Sequence, residues 1–78
     1  MPISLRDIDN RDEDDRPYEA TLTVEQAVGY LDGPLRRDTA GRAHERIDVA
    51  IDALRAGDVD RAADNVAALG IRLRKVDR

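Results

Sequence analysis

His44 is the single histidine of this 78-residue chain, and Glu45 and Asp48 follow it one and four positions on. An imidazole with a carboxylate one helical turn away is raw material for general acid/base chemistry. That chemistry also requires an oriented partner and a pocket that holds substrate. No nucleophile completes the set, because cysteine is absent and Ser4, Thr21, Thr23 and Thr39 are scattered. His44 therefore reads as a boundary histidine at the edge of a helix's core stripe, and no catalytic residue is assigned. The acids Asp7, Asp9, Asp12, Glu13, Asp14 and Asp15 invite a calcium reading. An EF-hand loop needs oxygen ligands at its first, third and fifth positions, Gly at the sixth and Glu at the twelfth. Counted from Asp7, the fifth is Arg11, the sixth Asp12 and the twelfth Tyr18, so the motif fails. Five glycines stand singly, which excludes a Gly-rich phosphate loop, and the missing cysteines exclude zinc ribbons and disulfides. The expectation is no metal, no cofactor, no small-molecule substrate and no enzymatic activity.

The arginines carry the other chemistry. Arg36, Arg37, Arg42 and Arg46 crowd one stretch behind "TVEQAVGYL", an order that suggests a helix-turn-helix whose second helix meets phosphates or guanine edges in a major groove. Through Leu22, Thr23, Glu25, Ala27 and Leu31, the segment "LTVEQAVGYL" resembles the opening of excisionase-like winged helices over its ten residues. That resemblance implies a small DNA-binding accessory factor. Beyond it, the short turn and recognition helix of that family are replaced by "DGPLRRDTAGRAHERI", with Asp38 and Glu45 among the arginines. The formal net charge is −4, whereas a duplex binder shows a basic face. A DNA-binding accessory factor or antitoxin using the Arg-rich helix is thus the second reading.

These side chains have to be positioned by very little chain. One small domain is expected, and its 18 Ile, Leu and Val residues are accompanied by 11 Ala, with neither Phe nor Trp. Ala contributes little buried area, so the core is thin, and thin-cored domains gain stability by associating. Residues 1–17 hold a run of charge, "RDIDNRDEDDRP", too polar to offset its ordering entropy. They read as a flexible acidic arm, ahead of a single helical domain at 18–78. "PYEATLT" alternates and permits a short strand.

Thr23 and Gln26 stand at capping-box spacing, and Val24, Ala27, Val28 and Leu31 then recur on one helical face. Gly33 and Pro34 predict its end. A second helix is expected from about 35 to 56, with Ala40, Ala43, Ile47, Ala50, Ile51 and Leu54 as its core stripe. Gly57 closes it, and Asp58 caps a third helix carrying Val59, Ala62, Ala63, Val66 and Leu69. The turn "ALRAGDVDRA" resembles the hairpin turns of tetratricopeptide-type solenoids, without a second copy in the chain. At the C-terminus a stop at Gly70 is favoured, with "IRLRKV" a short strand for which "YEATLT" is a candidate partner; continuation of the helix through Leu73 and Val76 is the alternative.

The fold class read from these patterns is mainly α: a short N-terminal helix plus an antiparallel helical hairpin, a flexible acidic arm, and room for one or two short strands. On the second helix, Leu35, Val49 and Ala53 lie off the core stripe with Thr39, Arg42 and Arg46 interleaved; either the first helix covers part of that face, or it is a partner or self-association surface. Leu35, Arg42, Arg46, Val49 and Ala53 are the candidate partner-binding residues, apolar patches with arginines at the rim being common at interfaces. The first reading is a non-enzymatic interaction or structural module that self-associates or docks on a larger protein. No apolar run approaches the roughly 20 residues that cross a bilayer, so no membrane partner is expected, and the setting is read as cytoplasmic.

Overall fold

Ile3, Leu5 and Asp7 alternate with Ser4 and Arg6, a period of two that sends each set to one face of a strand. In the computed structural model, which describes residues 2–11 and 14–76, this is strand β1 (Ile3–Arg11). It is the middle of an antiparallel sheet, between β2 (Pro17–Leu22) and β3 (Ile71–Lys75). On one side Ile3, Leu5 and Asp7 face Leu22, Ala20 and Tyr18; on the other they face Lys75, Leu73 and Ile71. The β1–β2 register shifts between Asp7 and Arg11, and Asp15 in the connecting loop takes φ +61°, a conformation that Asp tolerates better than most residues.

The helical segments lie on one side of this sheet, their buried residues joined to those of the strands in a single core. Helix α1 (Val24–Tyr30) starts at the expected capping box: Thr23 Oγ1 accepts from the Gln26 N–H at 3.1 Å, and Gln26 Oε1 from the Thr23 N–H at 3.0 Å. The helix does not end at Gly33-Pro34. It widens into a π turn over Leu31–Leu35 and runs on to Arg37. Proline in a regular α-helix removes an i→i−4 bond and clashes with the carbonyl four residues back; a π turn shifts that bonding by one residue and absorbs both problems. Leu31 and Leu35, both buried, hold the widened turn against the core. The expected helix from 35 to 56 is correspondingly interrupted, and α2 spans Gly41–Arg55.

The turn into α3 (Val59–Ala67) follows the expected glycine rule. Gly57 takes φ +82°, the Asp58 N–H reaches back to the Ala53 carbonyl at 2.8 Å, and the Gly57 N–H reaches Leu54 at 3.0 Å. Those paired bonds satisfy the last carbonyls of α2. The Asp58 side chain then accepts from the Arg61 N–H at 3.1 Å. Gly70, φ +80°, stops α3, and its carbonyl accepts from the Ile8 N–H at 2.9 Å, so the helix end is tied directly to β1.

The fold is α+β, and the mainly α reading with a flexible acidic arm is overturned. The segment read as an arm supplies the central strand, and Ile3 and Leu5 on it are completely buried. Local composition misled because a strand is stabilised by neighbours distant in sequence, here residues 71–75, which composition cannot register. The stop at Gly70 and the C-terminal strand are found as favoured, but that strand pairs with β1 instead of with "YEATLT". Ile47, Ala50, Ile51 and Leu54 of α2 and Val59, Ala62 and Val66 of α3 lie buried in one core shared with the strands, as the helical spacing requires; Ala40 is exposed and Ala43 half-buried. Each large aliphatic fully buried in this layer contributes about 2 kcal/mol. Among the described residues no helix is long and apolar enough to cross a membrane.

Candidate interaction surface

Arg42, Glu45, Arg46 and Val49 follow one another at i, i+3, i+4 and i+7, so they share one face of α2. Packing of α2 against α3 turns that face away from the sheet and sets Asn65 of α3 beside it. The five side chains line an open groove of about 750 Å³. Asn65 is held in place by donating Nδ2–H to the Arg61 carbonyl at 2.9 Å. Val49 also lines an adjoining recess with Asp52, Ala53, Ala56, Asp58 and Arg61. A half-buried valine thus floors the meeting point of two depressions. The groove carries Arg42 and Arg46 with Glu45 beside them, and the adjoining recess carries Asp52 and Asp58 with Arg61. Among the described residues, Arg42, Glu45, Arg46 and Asp52 spend their side chains on no hydrogen bond or ion pair.

Arg36 is used differently. Its Nε donates to Asp32 Oδ1 at 3.0 Å and its Nη2 to Asp48 Oδ1 at 2.6 Å. The hydrogen bond to Asp48, helped by both carboxylate charges, holds the guanidinium above its ordinary pKa. The Arg36 carbonyl accepts from His44 Nε2 at 3.0 Å, which spends that ring nitrogen on fastening the Arg36–Arg37 end of the first helix to α2. The four arginines grouped from the sequence therefore do not form one surface: Arg36 is tied between carboxylates, whereas Arg42 and Arg46 rim the groove.

The five sequence-derived contact residues divide in the same way. Arg42, Arg46 and Val49 meet in the groove. Ala53 reaches only the adjoining recess and is 4% exposed, and Leu35 is 5% exposed and turned to a different recess. That recess, about 300 Å³, is lined by Asp7, Asp9, Leu35, Asp38, Thr39 and Leu69. Asp7 there is 6% exposed, accepting from Tyr30 Oη at 2.6 Å and from the Asp9 N–H at 3.1 Å. Among the described residues no group of three or more His, Asp or Glu side chains is placed to hold a metal ion. Asp12 and Glu13 of the acidic run lie outside the described residues. Sequence reading missed Glu45 and Asn65 as groove residues. Glu45 shares the i+3 position with Arg42 and was open to discovery; Asn65 belongs to another helix, and only the hairpin's packing register brings it in.

Comparison with known proteins gives no family model, no curated protein and no solved structure that matches this chain.

Proposed function

We propose that this chain is a small, cytoplasmic, non-enzymatic interaction module that docks a protein partner in the α2–α3 groove. The observation that carries the reading is the set of uncommitted charged side chains, Arg42, Glu45 and Arg46, around the half-buried Val49. An apolar centre with a polar, arginine-bearing rim is the usual composition of a protein interface. Val49 supplies the apolar floor of the groove, and Ala56 extends apolar surface into the adjoining recess. Two arginines against Glu45 leave the groove one positive charge, and Asp52 and Asp58 against Arg61 leave the adjoining recess one negative charge, a mild polarity that selects orientation and speeds encounter more than it adds affinity. The segment that fits is acidic over the groove and basic over the recess.

The test is affinity capture from an extract of the source organism with wild-type and Val49→Asp baits, followed by titration of the captured protein. Placing a carboxylate in the apolar centre is expected to weaken binding at least about tenfold, the scale of losing a central contact. A captured protein that binds both baits equally overturns the groove as the docking site. The DNA-binding reading draws on the same arginines, with Arg36 withdrawn into its two ion pairs. Tight duplex binding that falls steeply between low and moderate salt would put that reading first.

A further inference from the structure

The two edges of the sheet are guarded differently. Strand β3 carries Arg72, Arg74 and Lys75 in five residues, all three exposed. Cations along an edge strand repel a second strand and are a common protection against sheet extension. Strand β2 has a single charged residue, Glu19, among its six. It also bears the exposed large hydrophobic side chain of the described residues, Tyr18 at 37%, stacked on Tyr30 with ring centroids 5.2 Å apart. Since β2 has a neighbouring strand on one side only, its other side presents backbone donors and acceptors beside an apolar ring.

We propose that β2 pairs antiparallel with β2 of a second copy, residue 18 opposite residue 22. The two sheets then join into one of six strands, ordered β3-β1-β2-β2-β1-β3. The register follows from the side chains. Centred on Ala20, the pairing leaves Pro17, which has no N–H to donate, outside the ladder. On the helix-covered side, Tyr18 of each copy meets the half-buried Leu22 of the other. On the open side, Glu19 meets Thr21, so no like charges oppose one another. A slip of one residue would place the helices of the two copies on opposite faces of the joined sheet. The equivalent pairing of β3 with itself, centred on Leu73, sets Arg72 against Arg74 at both symmetry-related positions. This contact uses none of the groove residues, so it stands whether or not the groove docks a partner.

The test is light scattering and sedimentation of the full chain over a dilution series, with circular dichroism as the fold control. Wild type is expected to be a dimer that dissociates on dilution. Thr21→Glu sets carboxylates opposite one another at both symmetry-related positions and should raise the dissociation constant about tenfold. Thr21→Lys, facing Glu19, should lower it by a smaller factor. Thr21 is exposed and its β1 neighbour is Ser4, so both variants should keep the wild-type spectrum. A wild-type monomer throughout the series overturns the proposal, as does a dimer indifferent to both substitutions. A dimer broken by Val49→Asp instead overturns it in favour of the groove.

Discussion

The centre of the sheet and the outer groove of the helices handle polar side chains in opposite ways. In β1, Asp7 is buried, and each of its oxygens accepts a hydrogen bond, from Tyr30 Oη and from the Asp9 N–H. In the groove, Glu45, Arg42 and Arg46 face solvent and commit their side chains to nothing else among the described residues. A buried polar group without a partner costs several kcal/mol, so the chain supplies partners where water cannot reach. An exposed group is satisfied by water and stays available to a ligand. Burial, and not charge, therefore separates residues that hold this fold from residues that can serve a partner, although both regions read as charged in the sequence.

The largest effect that can break this contrast is at Leu5, completely buried between Ala20 and Leu73. Leu5→Ala removes transfer energy and leaves a cavity, a loss of about 2–5 kcal/mol. Small domains have roughly 5–15 kcal/mol in total, so the urea midpoint should fall sharply. A midpoint near wild type would return residues 3–11 to the status of an arm. Next comes Tyr30→Phe, which takes a donor from the buried Asp7 and should cost about 1–3 kcal/mol. The same urea series measures it, and an unchanged stability would mean that Asp7 is satisfied without Tyr30.

Apart from the π turn that carries the first helix through Gly33-Pro34, the helical part of the fold is legible because its signals are local. Thr23 with Gln26, Gly57 with Asp58, and Gly70 each act over a few residues, and the apolar stripes of α2 and α3 repeat for two or more turns. The sheet is not, because β1 shows clean alternation only from Ile3 to Arg6. At Asp7 the inward position is polar, and at Ile8 the outward position is apolar, so the pattern inverts where the register against β2 also becomes irregular. The polar exception is tolerated because Tyr30, 23 residues away, answers it. No window short enough to read by eye contains both residues. The surface is half legible for the same reason. Arg42, Arg46 and Val49 share a helical face and are legible by spacing, whereas Leu35 and Ala53 lie buried in the core, which their place on the helical wheel does not show.

The smallest effect on stability sharpens the contrast from the other side. Arg46 is exposed on α2, makes no side-chain bond with the described residues, and sits away from both helix ends. Arg46→Glu therefore removes no contact that folding uses. The reversed charge lies beside Glu45 and Arg42, where solvent screens it, so the expected change in unfolding free energy is within about 0.5 kcal/mol. The same substitution inverts the charge at the arginine rim of the groove. If the groove selects an acidic segment, capture should fall while the urea midpoint holds, and the fall should lessen as salt is raised, because screening weakens attraction in the wild type more than it weakens apolar contact at Val49. A variant that loses stability together with capture would show that Arg46 belongs to the fold, and the division between buried and uncommitted charge would no longer hold at that position.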